Sequence, residues 1–207
     1  MILDDLEIAW RAWADAGAGF SADQWRRPTR LTGWAVREVY AHHGAFPYML
    51  AGLAAAGAAD QPATHATAAA LLRTFNEPTG VAHTDADRVR NRAIEDAGNY
   101  SPEEMLATFA RLAPQAITAA REVPLDRLIR YGGRAVLPFG EVARIGLMEA
   151  VVHYLDVARA VGLPVPGPLD GAPVRSVAAL MAEVADPLAV IEHATGRSGT
   201  DPFPVVR

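Results

Sequence analysis

The sequence predicts an all-α fold, a bundle of four main helices with extra short ones, on three observations. Apolar residues recur at helical spacing, most clearly at Leu6, Ala9, Trp10 and Trp13, positions i, i+3, i+4 and i+7 of one face. Residues that start and stop helices stand at the ends of these stretches, whereas no segment carries a convincing strand pattern. Alanine, the best intrinsic helix former, supplies 42 of 207 residues. Part of that alanine excess is discounted, because 19 arginines with no lysine suggest a GC-rich coding genome.

The first main helix is expected from Leu3 to Ala16, stopped by Gly17 and Gly19, with residues 20–33 an ordered connection. The second is expected from Trp34 to Ala56, with Thr32 as N-cap. Pro47 should kink or split it, since proline removes a backbone donor and clashes with the preceding turn. A loop over 57–64 leads to two short helices near 66–75 and 84–97. The third main helix opens on Ser101-Pro102-Glu103-Glu104, a capping serine, a proline at the first helical position and a glutamate that can close a capping box. It should run to Val123 with a bend at Pro114, and a glycine-rich loop over 124–138 follows. The fourth runs from Phe139 to Val161, where Gly162 and Pro164 stop it. Pro164, Pro166 and Pro168 stiffen a connector to short helices within 173–194, and a loose tail closes the chain from Gly196 to Pro202. The expected organisation is a helical bundle over 1–165 and a short helical extension, 166–207, packed on it.

Composition excludes several chemistries. A net charge of −5, with scattered arginines, argues against a nucleic-acid surface. No apolar run reaches a membrane span and the N-terminus is unlike a signal peptide, so a cytoplasmic location is expected. Without cysteine there is no thiolate nucleophile, disulfide or thiolate zinc site. Without lysine there is no Schiff base and no phosphate-loop lysine. Four serines, none in a G-x-S-x-G elbow, leave out the common serine hydrolase. Any catalysis must come from His, Asp, Glu, Tyr, a metal or a borrowed cofactor.

One stripe of the fourth helix carries such groups. Glu149 and His153 lie four residues apart, and Asp156 follows at the seventh position, ~20° from Glu149 around the helix. Met148, Val152 and Leu155 flank them, and titratable groups beside a core need partners. On the second helix, His42 follows Glu38 by four residues within an apolar run. If these helices are neighbours, His42, Glu149 and His153 form a His2Glu set of the kind that holds zinc with a coordination position open; iron, nickel and manganese accept the same donors. Asp156 would then orient His153 from behind. The plainer alternative is a pair of local Glu–His hydrogen bonds. A ferritin-like di-iron bundle is disfavoured, because it needs Glu-x-x-His spacing that neither pair has.

His43 points ~100° away from His42, so only one of the two can face such a site, and His42 is preferred. His65 and His83 fall in polar connections and His193 near a helix end. Trp10, Trp13 and Trp34 are expected as core anchors, with Trp25 covering the bundle. Arg37 and Arg144 are candidates to bind an anionic substrate, against the commoner fate of a surface ion pair. Tyr48 and Tyr154 are assigned to packing.

The run Leu31-Thr-Gly-Trp-Ala-Val-Arg-Glu-Val-Tyr-Ala-His42 resembles the second-helix signature of the DinB-like superfamily, in its mycothiol-dependent maleylpyruvate isomerase branch. Met148-Glu149-Ala-Val-Val-His153-Tyr-Leu-Asp156 is similar to that family's second signature, and Ala194-Thr-Gly-Arg197 resembles the close of its short members. The resemblance implies an up-down-down-up four-helix bundle with a divalent metal, zinc above all, on His42, Glu149 and His153. It further implies an actinobacterial host and mycothiol as a metal-activated thiol that attacks a small electrophile. The activity so implied is a transferase or isomerase. Two-domain members carry a further C-terminal domain, whereas about 40 residues follow the connector here, so transfer is favoured over maleylpyruvate isomerisation. The expected partners are a small-molecule thiol and an electrophile, with no nucleic acid and no membrane; a homodimer is left open. A non-catalytic metal- or ligand-binding protein and a metal-dependent hydrolase are the alternatives.

Overall fold

A computed structural model of the chain describes residues 1–133, 135–197 and 204–205. Four long helical segments form the bundle: α1 (Ile2–Ala18), α3 (Val36–Ala55), the pair α7 (Pro102–Ala107) and α8 (Ala113–Arg121) joined through a π-helical turn at Thr108–Leu112, and α9 (Phe139–Val161). Smaller helices fill the connections: α2 (Ala22–Trp25), α4 (Ala68–Phe75), α5 (Val81–Thr84) and α6 (Ala86–Asn99). After the bundle come α10 (Ala172–Val184) and α11 (Pro187–Ala194). The fold is all-α apart from one small hairpin.

Side-chain contacts fix the direction of each long helix. Gly146 approaches Leu6, and the Trp13 indole donates to the Ala150 carbonyl at 2.9 Å, so α1 and α9 run parallel. Trp34 lies against His153 and Phe46 against Gly146, so α3 runs against α9. Arg121 pairs with Asp4 and Glu7 while Phe109 stacks on Trp13, so α8 runs against α1. The order is up-down-down-up. Trp13, Tyr40, Phe109 and Tyr154 interlock at the centre, where edge-on and stacked rings fill the volume between four helices. The Tyr40 hydroxyl donates to the Trp13 carbonyl at 2.9 Å, which satisfies a fully buried polar atom.

The boundaries follow the local chemistry. Ser101 and Glu104 exchange their side-chain and backbone hydrogen bonds at 3.2 and 2.7 Å, closing the expected capping box. Gly162 takes the left-handed conformation, φ 75°, and ends α9 where it was expected to end. Two expectations for the second main helix need correction. It starts at Val36, capped not by Thr32 but by Glu38, which accepts from the Ala35 N–H at 2.8 Å. The chain turns back through Gly33, φ 82°, and Pro28 bridges Ala35, so residues 28–35 form a closed turn and Trp34 stands before the helix. Pro47 does not split α3; it is buried, and its missing N–H leaves the His43 carbonyl without its helical donor.

The segment 124–138 is not all loop. Leu128–Tyr131 (β1) and Ala135–Pro138 (β2) pair antiparallel, Ile129 opposite Leu137, with Gly132 and Gly133 at positive φ in the turn. The strands escape a periodicity search because they are four residues long and Ala135, Val136 and Leu137 are all buried. Backbone bonds from Ala59 to Leu128 and from Thr64 to Val136, both 2.8 Å, tie the preceding loop to the hairpin. The helix α10 packs on α1, α4 and α9, and Ser176 donates to Asp5 at 2.7 Å. Of the loose tail expected over 196–202, residues 198–202 lie outside the described residues. No helix among the described residues is long and apolar enough to cross a membrane.

Candidate metal centre

Antiparallel packing of α3 on α9 brings His42 to the level of Glu149 and His153. One ligand atom from each lies within 4.8 Å of the other two. His153 Nε2 stands 3.1 Å from the Glu149 carboxylate and His42 Nε2 3.9 Å from the same oxygen. The imidazoles are edge to face, 5.2 Å between centroids, and both Nε2 atoms lie beside the same carboxylate oxygen. Two imidazole nitrogens and one carboxylate oxygen make the donor set of open divalent-metal sites. The cluster is not sealed, since the side chains of His42, Glu149 and His153 keep 24, 23 and 15% exposure.

Asp156 sits behind it, 1% exposed. Its carboxylate accepts from His153 Nδ1 at 3.1 Å and, through its other oxygen, from Arg30 Nε. Asp156 thereby holds a proton on Nδ1 and turns Nε2 towards Glu149 and His42. Burial lowers His153, but the two carboxylates outweigh it and raise its pKa to about 9. Burial raises Glu149, yet its interactions with His153 and His42 prevail and hold the carboxyl well below the usual range. The Glu149 carboxylate and a protonated His153 imidazole thus favour one another, with His42 beside them.

His43 does not reach the cluster. It is fully buried among Trp13, Phe46 and Phe109, and its Nε2 accepts from the Trp10 indole at 3.1 Å. Burial, with the charge of His153, pushes its pKa well below the ordinary histidine value. Trp34, expected as a core anchor, instead covers the site, with its ring 5.2 Å from His42 and 6.4 Å from His153. Its place at the end of a turn ahead of α3 lets it fold over the histidine two turns on. Arg37 and Arg144 are engaged elsewhere: Arg37 donates to the Ala97 carbonyl, and Arg144 pairs with Glu141 and Glu183 at 3.1 and 2.7 Å.

Arg30 and Tyr131 were not singled out from the sequence. Arg30 lies in the connection after α2, where no periodic pattern marks it. Tyr131 ends β1, and burial together with the charge of Glu149 holds its phenol well above the ordinary tyrosine value. The Tyr-Gly-Gly run at 131–133 is a turn signal that would have found the hairpin. An open cavity of about 540 Å³ lies outside Trp34, lined by Thr29, Arg30, Thr32 and Glu38 among others.

Compared with known families, the chain matches the model described as mycothiol maleylpyruvate isomerase N-terminal domain over residues 6–158. That span holds His42, Glu149, His153 and Asp156, and the Ala194–Arg197 run lies beyond it. No curated protein and no solved structure matches the chain.

Proposed function

The chain belongs to the mycothiol maleylpyruvate isomerase N-terminal domain family, and from that premise we propose that it is a divalent-metal-dependent enzyme using mycothiol as thiol co-substrate against a small electrophile, by transfer or isomerisation. The observation that carries this reading is the convergence of His42, Glu149 and His153 from two helices onto one point. Zinc suits the two nitrogens and one oxygen, and three protein donors fit an open site, where closed structural sites use four. When bound, such a cation supplies positive charge that brings the pKa of a coordinated thiol towards neutrality.

The chain's own residues then have distinct tasks. His42, Glu149 and His153 hold the cation. Asp156 fixes the His153 ring and its tautomer, and Arg30 fixes Asp156. Trp34 shields the imidazoles from bulk water on its side. The cavity outside Trp34 offers hydroxyls, a carboxylate and a guanidinium to a polar thiol.

Mycothiol-dependent conversion of an alkene electrophile by the metal-loaded protein, as adduct or as isomer, tests the reading. Thiol-dependent turnover with sulfur retained in the product or intermediate is expected, and His153→Ala should abolish it. Turnover that proceeds without thiol, or that survives His153→Ala intact, would contradict it.

A further inference from the structure

Arg30 acts on the cluster without touching it. Its Nε donates to one oxygen of the Asp156 carboxylate, whose other oxygen accepts from His153 Nδ1 at 3.1 Å. A carboxylate held at both oxygens is not free to rotate, so the direction in which it meets the imidazole is set. The Asp156 side chain is 1% exposed and that of Arg30 45%. When a cation occupies Nε2, His153 donates as a neutral ring, and the positive charge facing the buried carboxylate is then that of Arg30. Without it Asp156 would be left buried beside a neutral donor, which is costly.

The same arginine ties down a second group. It stands in the closed turn over 28–35, where the Thr29 hydroxyl and backbone N–H both donate to the Trp34 carbonyl, at 2.9 and 2.8 Å. The Trp34 N–H donates to the Leu31 carbonyl at 3.0 Å. These bonds make one unit of the turn, and the pair of Arg30 with Asp156 fastens it to α9 three residues beyond His153. Trp34 rides on that unit, with its ring against His42 and His153.

We propose that Arg30 is a positioning residue of the metal centre. Through Asp156 it aims the His153 ring, and through the turn it seats Trp34 over both imidazoles, so retention of the cation depends on it. This rests on the cation-binding half of the function proposed above and not on its thiol chemistry.

Zinc affinity measured by competition with a chromophoric chelator, with urea midpoints on the same samples, tests the assignment. Arg30→Ala should weaken zinc by about tenfold, seen as faster release to excess chelator, the lower end of what a lost orienting partner costs. Both effects run through the ion pair, so in an Asp156→Ala background the same substitution should change affinity by less than about twofold. Arg30→Lys, which keeps the charge without the planar fork, should fall between native and Arg30→Ala. Arg30 lines the cavity of about 540 Å³ outside Trp34, so a small planar cation can enter the slot that Arg30→Ala vacates. Millimolar methylguanidinium should restore part of the zinc affinity there, and tetramethylammonium at the same concentration should not. A lowered urea midpoint with zinc affinity unchanged would overturn the assignment and leave the pair as a tie between turn and helix. An equal loss of affinity in both backgrounds would also overturn it. A native chain that takes up no zinc contradicts the cluster itself, whereas zinc held equally by native and Arg30→Ala chains contradicts the role of Arg30 alone.

Discussion

His153 carries a carboxylate at each ring nitrogen, Glu149 at Nε2 and Asp156 at Nδ1, both at 3.1 Å. A cation can take only the Nε2 side, so its binding must displace a proton from His153, whose pKa the two carboxylates raise to about 9. Metal uptake at neutral pH should therefore release a proton, and affinity should rise with pH until about 9, measurable by competition with a chromophoric chelator. Asp156→Asn should lower metal affinity by about 10–100-fold in the same assay, because the ring loses its orienting acceptor. His43 behaves in the opposite sense. Its folded pKa lies below its unfolded value, so the stability it contributes is present above about pH 6.5 and lost as pH falls. Urea titrations should show that acid-side loss in the native chain. They should show a flatter profile in His43→Phe, whose baseline drops because Trp10 loses its acceptor. Glu149, His153 and Asp156 were legible as one stripe because helical spacing is geometry, whereas joining His42 to them depended on the two helices being neighbours. Arg30, Trp34 and Tyr131 were not legible, because they arrive on connections and a hairpin whose course no period encodes.

At the scale of elements, chain ends with chemical signatures were readable and ends set by tertiary contact were not. Ser101 with Glu104 and Gly162 before Leu163 mark termini through bonds made locally, so sequence alone located them. The start of α3 depends instead on the return through Gly33 and the bridge from Pro28 to Ala35, which pulls Thr32 out of any capping role. The hairpin is similar, since its short strands gain their stability from α9 and the 57–65 loop rather than from a long alternating pattern. The end of α1 offers a sharp test. A Cβ at Gly17 would sit 2.4 Å from Leu106 Cδ2 and 2.8 Å from the Tyr40 hydroxyl, an atom fixed by its bond to Trp13. Gly17→Ala should destabilise the protein by about 1–3 kcal/mol through overpacking, read as a lower urea midpoint. An unchanged midpoint would mean that α1 and α7 can separate without penalty.

For the whole molecule, helix order matters more than helix existence. The sequence marked four long helices, but a period says nothing about which helices touch. Only contacts such as Trp34 on His153 and Phe46 on Gly146 establish that α3 opposes α9 and so bring the donor from one helix to the two on the other. The central claim is that His42, Glu149 and His153 hold a metal ion. Elemental analysis of protein purified without a histidine tag, beside a His42→Ala, His153→Ala double variant, tests it most directly. The account predicts about one divalent ion per chain in the native protein and none in the variant. A native protein that holds no metal, even after anaerobic reconstitution with zinc, nickel and iron, would contradict it.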